Sequence, residues 1–88
     1  MILMYQARSE IDGEGWHEVT VIDKPNVHAC ARLLRDALRK TSDALRATIL
    51  VEDGMGLPRT KSNHYSGENI HMIEVHVPDN HVRDTTHG

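Results

Sequence analysis

One helical rhythm, and only one, runs through this chain, and it limits the architectures available. Val27, Cys30, Ala31, Leu34, Ala37 and Leu38 fall at the i, i+3, i+4, i+7 spacing of a single buried helix face. Asp23 or Asn26 can cap its start, Pro25 suits a first turn, and Thr41-Ser42-Asp43 ends it. Arg39 and Lys40 then sit near the negative end of the helix dipole.

The remaining segments alternate. Met1–Glu10 and Trp16–Asp23 read as strands around Ile11-Asp12-Gly13-Glu14-Gly15, where Asp-Gly supplies turn chemistry. The register expected between them sets Arg8 opposite Glu18 and Met4 opposite Ile22, leaving Leu3, Tyr5 and Ala7 on one face with Val19 and Val21. Arg46–Asp53 reads as a third strand and Glu68–Pro78 as a fourth, with Gly54–Gly67 a long loop between them. The expected fold is α+β: ββαββ, a four-stranded antiparallel sheet with one helix packed on one face. A single domain spans 1–78, and Asp79–Gly88 is expected to be a flexible tail.

One helix covers one side of such a sheet. The other side should then expose Met4, Trp16, Ile22, Leu50, Ile70 and Met72, a face apolar enough to invite a partner or a second copy in a sheet-to-sheet homodimer.

Chemistry-bearing constellations are sparse. His64, His71, His76 and His81 match no metal-ligand spacing, so no metal and no cofactor are expected. Gly54-Met55-Gly56-Leu57-Pro58-Arg59-Thr60-Lys61-Ser62 lacks the spacing of a phosphate-binding loop, and no helix follows it. Cys30 lies on the apolar helix face with His28 pointing elsewhere, a poor setting for a thiolate. No enzyme activity is expected. A lone cysteine fits a reducing cytoplasm, no apolar run approaches the roughly 20 residues of a membrane span, and Met1–Arg8 lacks the pattern of a secretory leader.

Charge is the sharper signal. The net charge is −3, yet residues 24–61 hold eight bases against four acids. Arg32, Arg35, Arg39 and Lys40 line the outer helix face, and Arg59, Lys61 and Tyr65 extend the surface onto the loop, with Trp16 at the sheet edge. Such a stripe either keeps a small domain solvated or binds an acidic protein or phosphates.

Val19-Thr20-Val21-Ile22-Asp23, then His28-Ala29-Cys30-Ala31, then Ala47–Asp53 resembles small proteins of phages and mobile elements, anti-CRISPR proteins among them. That resemblance lies in size and element order over residues 1–78. It implies a non-enzymatic inhibitor that occludes a host nucleoprotein complex, such as a type I CRISPR surveillance complex, inside a bacterial cell. The first two strands and the helix are also similar to antitoxins of the HicB type, with Asp12-Gly13-Glu14-Gly15-Trp16 at the position of their Gly-aromatic turn. This second resemblance implies a small regulator or antitoxin that uses the basic helix face, direct nucleic-acid binding included.

Overall fold

The computed structural model describes residues 1–78; the expected tail lies outside them. Its elements run β1 (Ile2–Ile11), β2 (His17–Val21), β3 (His28–Ala31), α1 (Leu34–Gly54) and β4 (Ile70–His76). All strand pairings are antiparallel, in the spatial order β3-β2-β1-β4. The class and layering match expectation: one sheet, with one helix packed on it. The element order does not, being βββαβ in place of ββαββ.

The difference begins at Val27. Lys24-Pro25-Asn26-Val27 forms a tight turn, the Val27 amide donating to the Lys24 carbonyl at 2.8 Å, with Pro25 supplying the fixed φ of the second position. The chain then returns along β2 as a short edge strand. Val27 and Ala31 are buried and Cys30 is exposed, so Cys30 does not occupy a helix core. Apolar residues four apart satisfy either reading when the run is this short.

The helix starts later and continues through Thr41-Ser42-Asp43. Ala37, Thr41, Leu45 and Ile49 recur every fourth residue and are its buried positions. Thr41 survives there because its hydroxyl donates to the Ala37 carbonyl at 2.7 Å, leaving no buried donor unpaired. Arg46–Asp53, expected as a strand, is therefore the C-terminal part of a helix about 31 Å long. Gly56, at φ 75°, closes it, with the Leu57 amide reaching back to the Glu52 carbonyl at 3.0 Å.

The β1–β2 register also departs from expectation, by two residues. Ala7 pairs with Val21, Arg8 with Thr20 and Glu10 with Glu18. The turn decides it. The Asp12 amide donates to the Trp16 carbonyl at 3.0 Å, and Gly15 takes a φ of 87° that suits a three-residue hairpin loop. A two-residue shift preserves the faces, so Tyr5, Ala7, Val19 and Val21 still enter one core with Val27, Ala31, Ala37, Leu45, Ile49, Ile73, Val75 and Val77.

Candidate functional site

Three surfaces carry the side chains that sequence reasoning singled out. The first is the β1–β2 turn. The Asp12 carboxylate accepts from the Trp16 amide at 3.0 Å and the Glu14 amide at 2.8 Å, and these bonds hold it below the usual carboxylate range. Trp16 follows, half-buried, with the Arg32 guanidinium 4.6 Å from its ring centroid. Arg32 also donates to the Glu14 carbonyl at 3.4 Å. It belongs to the link between β3 and α1 and not to a helix face, so the structure joins Trp16 to Arg32 and separates Arg32 from the expected stripe.

The second surface is the helix flank. Arg35, Arg39, Ser42 and Arg46 stand at i, i+4, i+7 and i+11, one side of α1. Ser42 donates to the Glu74 carbonyl at 3.1 Å and Arg46 to the His76 carbonyl at 2.9 Å, so this side runs beside β4. Arg39 lies 3.6 Å from Asp36, both in solvent, an ion pair worth a few tenths of a kcal/mol. Lys40 reaches in the other direction, to the Cys30 carbonyl on β3 at 3.5 Å. The expected four-residue stripe is thus divided between the two edges of the sheet and the turn.

The third is the long segment after α1, which crosses to the sheet face opposite the helix. It was expected to leave that face open; instead it straps it. Gln6, whose side chain lies on that face, is buried because its amide group donates to the Tyr65 carbonyl at 3.0 Å and accepts from the Tyr65 amide. The Tyr65 hydroxyl donates to Asp23 at 2.5 Å, and the Asn63 amide donates to the same carboxylate at 2.8 Å. The hydroxyl, then the Asn63 donors, draw Asp23 below the ordinary carboxylate value, and the same carboxylate raises the Tyr65 phenol. At the start of the strap the Lys24 ammonium binds Glu52 at 2.8 Å and the Thr60 hydroxyl at 3.0 Å. The Arg59 guanidinium meets Asp53 at 2.7 Å, and Lys61 stays exposed.

Of the open face, Met4 and Met72 remain exposed, at 44% and 52%, and Ile22 and Ile70 are half-covered. Leu50 is not part of it: it belongs to α1 and packs against the core. Trp16 lies at the turn. Among the described residues no three of His, Cys, Asp and Glu gather as a metal site would require. His71 meets the Ser9 hydroxyl at 2.8 Å and His76 meets Glu74 at 3.3 Å. No helix among the described residues is long and apolar enough to cross a membrane.

Sequence reasoning missed Gln6, Asp23 and Lys24 as the anchors of the strap, and took Arg46, near the basic stripe, as the start of a strand and not as part of α1. Only Arg46 had an available signal, its i+11 spacing from Arg35, which the strand reading of Arg46–Asp53 concealed.

Three antiparallel strands, a helix that backs them, and a fourth strand returning beside the first define a recognisable class of small α+β domain. The structure is similar to the crystal structure of the N-terminal domain of Burkholderia pseudomallei antitoxin HicB, with a TM-score of 0.69 and 20% sequence identity. The match covers 86% of this chain and 99% of that one. At that identity the likeness shows a shared fold. No protein-family model and no curated protein matches the sequence. The resemblance to anti-CRISPR proteins is overturned: the fold aligns with an antitoxin domain.

Proposed function

We propose that this chain is a non-enzymatic binding module of the antitoxin kind, which neutralises a toxin protein by covering its working surface. The observation that carries the reading is the fold shared with the HicB antitoxin domain over nearly the whole of both chains. The surfaces support it. Exposed Met4, Met72, Leu57 and Met55 are soft apolar contacts, and Arg35 and Arg39 stand in solvent at the helix flank. Trp16 with Arg32, Lys40 at the opposite edge, and Lys61 on the strap offer further polar and aromatic contact.

The test is co-expression with the product of the adjoining gene. The expected result is that the neighbour alone arrests growth, that this chain restores it, and that the two co-elute in size-exclusion chromatography. A neighbour that is harmless, or arrest that persists with no complex, would overturn the reading. Direct nucleic-acid binding is the second reading, favoured by Arg35, Arg39 and Arg46 on one flank. Its signature is affinity that falls by orders of magnitude between low and moderate salt, read by gel shift against DNA and RNA.

A further inference from the structure

We infer that the outer edge of β4 takes up an acidic, extended peptide segment of a protein partner as an added strand. The inference deepens the antitoxin reading by naming a docking surface, and it rests on that reading in taking the partner to be a protein. Three observations carry it.

Odd-numbered residues of β4 make the ladder to β1. The Val77 amide donates to the Met1 carbonyl and the Met1 ammonium to the Val77 carbonyl, both at 3.0 Å, and the Ser9 amide donates to the Asn69 carbonyl at 2.9 Å at the other end. The backbone of Met72, Glu74 and His76 therefore points away from β1, on the side where no further strand lies among the described residues.

The outward edge is unbalanced. Two of its carbonyls are already engaged, Glu74 by Ser42 and His76 by Arg46. Among the described residues the amides of Met72, Glu74 and His76 remain as donors. Each of the engaged carbonyls keeps a second lone pair for an incoming amide, so the edge can still complete a ladder, with donors in excess that favour a strand bringing additional acceptors.

The third observation is charge. Arg35, Arg39 and Arg46 line the helix flank along this edge, and Arg39 is 71% exposed. The nearby acids are Asp36, paired with Arg39, Asp43 on the helix, and Glu74, which lies on the other sheet face beside His76. A second copy of this chain is the wrong occupant. Two-fold pairing through β4 would set one arginine flank against the same flank of its twin, and like charges so placed repel. Carboxylates on the incoming strand would meet arginine where a twin would not.

The experiment measures fluorescence anisotropy of a blocked, labelled heptapeptide of alternating glutamate and valine. Its lysine–valine counterpart and a version N-methylated at alternate residues serve as controls. The acidic peptide is expected to bind, the lysine peptide at least tenfold more weakly, and the N-methylated one not at all, since its strand cannot complete the ladder. Charge reversal in Arg35→Glu with Arg39→Glu should weaken the acidic peptide at least tenfold at unchanged melting temperature. Glu74→Pro should abolish binding while sparing the β1 ladder. Equal binding of the acidic and N-methylated peptides would overturn the inference. So would a dimer in sedimentation velocity that Glu74→Pro dissolves, or an oligothymidylate that competes with the peptide through the same arginines. A toxin complex indifferent to these edge variants would sink the edge assignment and leave the antitoxin reading standing.

Discussion

The two faces of the sheet are covered by different means. On one, α1 lays Ala37, Thr41, Leu45 and Ile49 over Tyr5, Ala7, Val19, Val21, Ile73 and Val75, all buried. On the other, the strap crosses with few apolar anchors and fastens by hydrogen bonds, Gln6 to the Tyr65 backbone and Asp23 to Asn63 and Tyr65. Burial on the helix side removes apolar area from water at roughly 25 cal/mol per Å². Hydrogen bonds on the strap side replace bonds to water, so even the buried Gln6 pair nets only about 1 kcal/mol per bond. The helix face should therefore hold the fold, and the strap face should decide what the sheet shows to its surroundings.

The largest expected effect lies on the helix side. Leu45→Ala, at a fully buried position, should lower unfolding stability by roughly 3 kcal/mol in urea titration, whereas Met72→Ala on the strapped face should stay within about 0.5 kcal/mol. Equal losses would erase the contrast. Next comes Lys24→Ala. Its side chain is 8% exposed and joins Glu52 and Thr60, so its loss should cost on the order of 2 kcal/mol and loosen the start of the strap.

Gln6→Ala is smaller, about 1 kcal/mol, because it removes two bonds to the Tyr65 backbone from a buried site. It should also speed limited proteolysis between residues 57 and 69. Smallest is Glu18→Lys, which replaces the Glu10–Glu18 like-charge pair with an opposite pair and should stabilise by about 0.5 kcal/mol. No gain would count against the observed register.

pH sharpens the same contrast. The folded pKa of Asp23 is lowered, so its contribution is present above the unfolded value, about 3.9, and fades as pH falls through the folded one. Tyr65 is raised, so its contribution is present below an unfolded value near 10 and fades as pH rises through the folded one. Protease access to the strap should accordingly rise at both extremes. Tyr65→Phe should remove the alkaline limb, weaken the acid one and lower the melting temperature at neutral pH, where both contributions are present.

Which parts were legible follows from where their determinants lie. The strands Ile2–Ile11, His17–Val21 and Ile70–His76 carry their own alternation, and their inward faces were readable even though the register between the first two was not. That register belongs to the turn at Asp12, whose geometry outweighs the attraction of Arg8 for Glu18. His28–Ala31 was unreadable as a strand because Val27 and Ala31 fit a helix as well. The second half of α1 was masked by the β-branched residues Thr48, Ile49 and Val51. Burial against the sheet overrides their intrinsic preference. Arg35 and Arg39 were placed correctly in solvent on the helix. The strap was beyond reach, since Gln6 and Tyr65 are 59 residues apart and nothing local foretells their meeting.

The central position of β1 has a consequence for biosynthesis. Its neighbour on one side, β2, follows within a few residues, but the strand on its other side supplies Val75 opposite Leu3 and bonds Val77 to Met1. A nascent chain must extend roughly seventy residues past β1 before that flank is zipped, and loop closure over such a separation is slow. Until then β1 presents a bare ladder to other polypeptides. Translation speed and chaperone capture, more than equilibrium stability, should govern how much of this protein reaches its native state.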